Sequence, residues 1–183
     1  MSGNVRWLRR ATALLVWASL SLSLLTGCQT ALQPRESLVT ATVQQVISGN
    51  TLEVIVPSLA NNQIQRVRLI GLDAPLPAQR PWGKEAMDFL RQVDKETVQL
   101  EFDQEQRDAY DRFLGYIWHN GQLINLAMVA EGHALVNSRL PNVRYESQLQ
   151  RGQEAARLQG LGIWNPANPM RQTPSEFREQ RSQ

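Results

Sequence analysis

The chain has 183 residues, 42% hydrophobic and 20% charged, which suits one domain with a real core plus a tail. A single cysteine excludes an intrachain disulfide. The formal charge is +2, but three of the nineteen basic residues and none of the seventeen acidic ones precede Cys28, so the chain from Cys28 onward carries −1. Global charge therefore gives no support for nucleic-acid binding, and any electrostatic case rests on local clusters.

Residues 1–27 read as an export signal. Arg6, Arg9 and Arg10 open it, and an apolar run from Ala11 to Leu25 follows. That run is short for a membrane span of roughly 20 residues. Leu25-Thr26-Gly27-Cys28 closes the segment and resembles the lipobox of bacterial lipoproteins. The resemblance implies cleavage before Cys28, lipidation of its thiol, and anchoring to the bacterial cell envelope at a periplasmic or outer face. The alternative is an uncleaved anchor helix. Residues 28–40 form a polar tether.

Strands are expected next. Ala41–Ile47 reads as the first, Ser48-Gly49-Asn50 as a turn, and Thr51–Val56 as a second, with Leu52, Val54 and Val56 on one face. Pro57 ends it, 58–62 reads as a loop, and Ile64–Leu72 as a third strand. Asp73-Ala74-Pro75-Leu76-Pro77 leaves the sheet, because two prolines cannot continue it.

A helix is expected near Gly83–Val93, where Ala86, Phe89, Leu90 and Val93 form an apolar stripe. Thr97–Phe102 and Phe113–Trp118 read as the fourth and fifth strands, and Asn120-Gly121 as a hairpin turn. A short helix at Ile124–Glu131 stops at Gly132. Asn142 can cap a longer helix that Gly160 ends. Residues 166–183 are polar and read as a disordered tail. The pattern predicts an α+β fold, a five-stranded oligonucleotide-binding (OB) type barrel with about three helices.

The ordered set Gly49-Asn50-Thr51, Val67 to Pro75, Trp82 to Ala86, Asp108 to Ile117 and Gly162-Ile163-Trp164 resembles the staphylococcal nuclease (thermonuclease) domain across residues 41–165. The resemblance implies calcium-dependent hydrolysis of DNA or RNA phosphodiesters. A phosphodiester gains negative charge as water adds, and paired guanidinium groups can neutralise it through bidentate hydrogen bonds. By resemblance, Arg68 and Arg112 are the catalytic phosphate arginines and Tyr110 contacts substrate. Asp73, the Ala74 carbonyl and the residue at position 50 would hold calcium.

This sequence departs from that pattern at two acids. Asn50 replaces a calcium aspartate, and Leu76 replaces the glutamate that activates or orients water. Calcium binding is expected to be weak or lost. Leu76 cannot take a proton, and general-base help contributes about 10²–10⁴-fold. Ser138 stands near the position of a base-stacking aromatic, and Asp111 takes a position often held by glycine, from which it could pair with Arg112.

Plainer readings stand beside these. Arg68 could be a solvent-facing strand arginine, Asp73 a turn residue before Ala-Pro, and Tyr110 purely structural. His119 and His133 lack metal-ligand spacing, and Trp82, Trp118 and Trp164 read as core and helix-docking residues. The expected function is therefore that of a nuclease-family enzyme of reduced activity. The alternative is an inactive lipoprotein that binds nucleic acid, nucleotides or another protein. A monomer is expected.

Overall fold

Alternation builds the barrel. In strand β1 (Val39–Ser48) Ala41, Val43 and Val46 point inward, and the Gly49-Asn50 turn returns the chain as β2 (Thr51–Ile55). One helical turn, α1 (Pro57–Ala60), replaces the expected loop, with Pro57 at a position where a missing N–H costs nothing. Strand β3 (Ile64–Leu69) pairs antiparallel with β2, and β5 (Thr97–Arg107) pairs with β1 and with β6 (Phe113–His119). Closure comes from β6 running parallel to β3, with Arg68 opposite Leu114 and Leu69 opposite Gly115. The order β3-β2-β1-β5-β6 thus closes on itself, and no barrel strand keeps a free edge. The computed structural model describes residues 38–182, so the export signal and Cys28 lie outside the described residues.

Helix α2 (Trp82–Leu90) covers the barrel with Ala86 and Leu90, α3 (Ile124–Ala130) follows the short strand β7 (Gln122–Leu123), and α4 (Glu146–Gln159) packs on α3. The expected caps Gly132 and Gly160 both have positive φ at these helix ends. The barrel with its three expected helices is present.

Three local expectations change. The third strand does not run to Leu72. It ends at Leu69, and Gly71-Leu72-Asp73 forms β4, which pairs with β8 (Leu135–Asn137) instead of the barrel. Gly71 makes that break: its φ is +79°, and a Cβ there would lie 2.4 Å from Leu149 Cδ1. Asn142 does not cap α4, which begins at Glu146 after Tyr145. The Asn142 side chain instead accepts from Glu105 N–H (2.9 Å) and donates to Glu105 C=O (2.8 Å), clamping the far end of β5. The fourth strand extends to Arg107 rather than stopping at Phe102.

The largest change is in the tail. Residues 166–183, whose composition reads as disordered, carry helix α5 (Pro174–Arg181). Thr173 Oγ1 accepts from Glu176 N–H and the Glu176 carboxylate accepts from Thr173 N–H, a reciprocal cap, with Pro174 in the first turn. Three further bonds dock the segment before the helix. Trp82 Nε1 donates to the Asn168 carbonyl, Gln79 Nε2 to the Gln172 carbonyl, and Met170 N–H to the Ile163 carbonyl.

One carboxylate sits inside this fold without belonging to its apolar core. Glu101 of β5 is 1% exposed. It accepts from Trp118 Nε1 (2.6 Å), Arg144 Nη1 (2.8 Å) and Tyr145 Oη (2.9 Å), so a buried charge is fully hydrogen-bonded and ties the barrel to the start of α4. Glu101→Ala would strand these donors. The expected loss is about 2–4 kcal/mol of unfolding free energy, below the fully buried range because Arg144 keeps solvent contact. Urea denaturation showing a loss under about 0.5 kcal/mol would disprove this role.

Candidate functional site

The break at Ile70 delivers Asp73 to the mouth of the barrel. Its carboxylate is 5% exposed, and such a buried charge requires a counter-charge. Two guanidinium groups supply it. Arg68, in the last turn of pairing between β3 and β2, donates from Nη2 to Asp73 Oδ1 at 3.3 Å. Arg178 of α5 donates from Nη1 to Oδ1 (3.2 Å) and from Nη2 to Oδ2 (2.6 Å), a bidentate fork. Burial pulls the Arg68 guanidinium below its usual value, and the Asp73 charge opposes that pull.

Arg112 is held by a different acid from the one expected. Asp111 does not pair with it. Asp111 pairs with Arg107 (2.9 Å) and has φ +61°, a left-handed backbone that glycine adopts most readily. Asp108 orients Arg112 instead. Its Oδ2 accepts from Arg112 Nε (2.8 Å) and Nη2 (2.6 Å), and its Oδ1 accepts from the backbone N–H of Tyr110 (2.9 Å) and Arg112 (3.0 Å). Burial works against ionisation of Asp108, but these four bonds outweigh it and hold its carboxyl below the usual range. Tyr110 is 82% exposed, and its ring lies 5.5 Å from the Arg112 guanidinium carbon.

Arg68, Arg112 and Arg178 stand between two cavities and line both. The smaller, about 200 Å³, is also walled by Asn50, Ala74 and Leu76. The larger, about 620 Å³, is also walled by Tyr110, Arg139 and Leu140. The loop carrying Leu76 is fixed from two sides. Leu76 N–H donates to Gln79 Oε1, and the Leu76 carbonyl lies so close to Gly83 that a Cβ there would be 1.8 Å from its oxygen. Gln79 also grips the tail at Gln172, so the Leu76 loop and the approach to α5 share one side chain.

The donor set does not fit a resident calcium ion. Calcium takes six to eight hard oxygens, usually with several carboxylates. Asp73 is the one carboxylate among the three expected ligands, and both its oxygens already accept from guanidinium groups. Asn50 is buried and uncharged, and its Oδ1 accepts from Ser48 Oγ and Thr51 Oγ1, each at 3.1 Å. Among the described residues no group of three or more His, Cys, Asp or Glu is placed to hold a metal.

Arg68, Asp73, Asn50, Ala74, Arg112 and Tyr110 are therefore gathered around two adjoining cavities. Cys28 lies outside the described residues. Ser138 presents no aromatic face, and its neighbours Arg139 and Leu140 reach the larger cavity, with Leu140 85% exposed. Sequence reasoning missed Arg178 and Gln79. The signal for Arg178's helix was nevertheless present as Thr173-Pro174-Ser175-Glu176, an N-terminal capping pattern inside a polar stretch.

Comparison with known proteins bears on the family. The family model described as staphylococcal nuclease homologue matches residues 66–166. The thermonuclease of Staphylococcus intermedius is 35% identical over 129 residues, covering 67% of this chain and 74% of that protein. The thermonuclease of Staphylococcus hyicus is 34% identical over 130 residues, with 67% and 74% covered. Endonuclease YncB of Bacillus subtilis is 30% identical over 139 residues, with 72% and 64% covered. A matching barrel, a family match over most of it, and relatives at this identity place the chain in the staphylococcal nuclease family.

Proposed function

We propose that this chain binds phosphodiesters of nucleic acid through Arg68 and Arg112 and hydrolyses them slowly, from an anchor at Cys28 on the cell envelope. The observation that carries this is the convergence of guanidinium groups beside a cleft able to accept a nucleotide. Arg68 and Arg112 are held at fixed angles by Asp73 and Asp108, so their unused N–H groups are oriented before a phosphate arrives. They would neutralise the charge that grows as water adds to phosphorus. Tyr110, Arg139 and Leu140 offer an amphipathic wall for the nucleoside.

Proton handling is the weak step. The group at position 76 is aliphatic, and Gln79 beside it is engaged at both ends. Water must therefore attack without the general-base contribution of about 10²–10⁴-fold. The reading of the two departures as losses rests on the family resemblance together with the donor chemistry around Asn50 and Asp73.

Digestion of single-stranded DNA, with millimolar calcium or with EGTA, tests the reading. Slow cleavage is expected. Arg68→Ala should lower both cleavage and oligonucleotide affinity by about 10–100-fold, the worth of lost charge-assisted hydrogen bonds. Fast calcium-dependent cleavage by the unaltered chain would refute the reduced-activity reading, and an Arg68→Ala chain of full affinity would refute the site. Asn50→Asp combined with Leu76→Glu should raise cleavage by about 10²-fold or more; no gain in a folded protein would count against the roles given to these positions. For the anchor, labelled fatty acid should be incorporated into the unaltered chain and not into Cys28→Ser. An unaltered chain that takes up no label and keeps residues 1–27 would instead support an uncleaved helix.

A further inference from the structure

We propose that helix α5 completes the phosphate site, with the Arg178 guanidinium acting in place of a divalent cation, so that this chain binds a nucleotide phosphate without metal. The proposal rests on the phosphate-site reading of Arg68 and Arg112 and adds to it the origin of the third positive charge.

The placement is specific. Arg178 lies 105 residues from Asp73 in sequence and outside the span matched by the family model, 66–166, yet it makes the only bidentate contact to that carboxylate among the described residues. Its side chain is 41% exposed and lines both cavities with Arg68 and Arg112. A guanidinium has five N–H donors, and the fork to Asp73 uses two, so others remain to meet an anion. Three guanidinium groups against Asp73 and Asp108 leave one net positive charge in direct contact, suited to an incoming phosphate.

The charge logic accounts for Asn50 as well. An aspartate at 50 would add a second carboxylate and favour a divalent ion, whereas Asp73 alone is answered by the Arg68 and Arg178 guanidinium groups. The uncharged amide oxygen is satisfied by Ser48 and Thr51 and asks for no cation. Arg178 is also not loosely placed. The capped start of α5 and the bonds from Gln79 and Trp82 to the preceding segment set the helix against the Leu76 loop, so the arginine is oriented before the ligand enters.

Calorimetric titration of the full chain, extracted from membranes in detergent, with adenosine 3′,5′-bisphosphate tests this. In EGTA the unaltered chain should bind, and millimolar calcium should change its Kd less than about twofold. Arg178→Ala should weaken binding in EGTA at least about tenfold. Arg178→Lys, which keeps the charge and loses the fork, should fall between. Melting curves check that each variant is folded, and the lysine variant carries the test if the alanine variant is not.

Equal Kd in EGTA for the unaltered and Arg178-substituted chains overturns the proposal, as does binding that requires calcium. If Arg68→Ala weakens binding while Arg178→Ala does not, the phosphate site stands and only the role of Arg178 falls. If neither matters, or nothing binds in either buffer, the phosphate site falls with it.

Discussion

A carboxylate withdrawn from water must meet positive charge, and the site of this protein is arranged around that requirement at Asp73. The side chain is nearly sealed at the mouth of the barrel, carried there by the turn at Ile70 and Gly71. Arg68 alone offers it one hydrogen bond at 3.3 Å. The stronger fork comes from Arg178, and to reach Asp73 it needs a folded, docked tail. One buried charge thus connects the barrel, the loop of Leu76 and the C-terminal helix.

The barrel supplies rigidity for this arrangement. Closure of β6 on β3 sets Arg68 and Leu114 side by side, and Arg112 precedes β6 by one residue, so both arginines leave the same end of the barrel. Asp108 then fixes the direction of Arg112 with three bonds to it and a fourth to the Tyr110 N–H, inside one short turn. Away from the mouth, Glu101 shows the same solution to the same constraint: a buried carboxylate with donors from three residues holds β5 to the start of α4. The protein thus uses acids in two ways, one to orient the arginines that line the two cavities, the other to join elements of the fold.

Much of this was legible in the chain itself. Alternation in Leu52, Val54 and Val56, the Asn120-Gly121 turn and the helix stops at Gly132 and Gly160 are local signals, and local geometry enforces them. Asp73 and Arg68 were singled out through family register. The failures are equally instructive. Asn142 has the chemistry of a cap, but β5 runs long enough to claim it. Asp111 is adjacent to Arg112, but its left-handed backbone turns it toward Arg107. The tail is polar enough to read as disordered, and its capping pattern carried less weight than its composition.

The sequence by itself determined the strands, the turns and the covering helices, because periodicity, turns and caps act within a few residues; the type of barrel and the choice of Arg68 and Arg112 came through the family resemblance. It also determined that positions 50 and 76 are uncharged, since neither Asn50 nor Leu76 can supply a negative charge. Which cation answers Asp73 was decided only by the tertiary structure. That choice depends on a contact spanning 105 residues, made when α5 docks against the barrel mouth. No local pattern encodes it, because a buried carboxylate takes the nearest positive charge the completed fold presents.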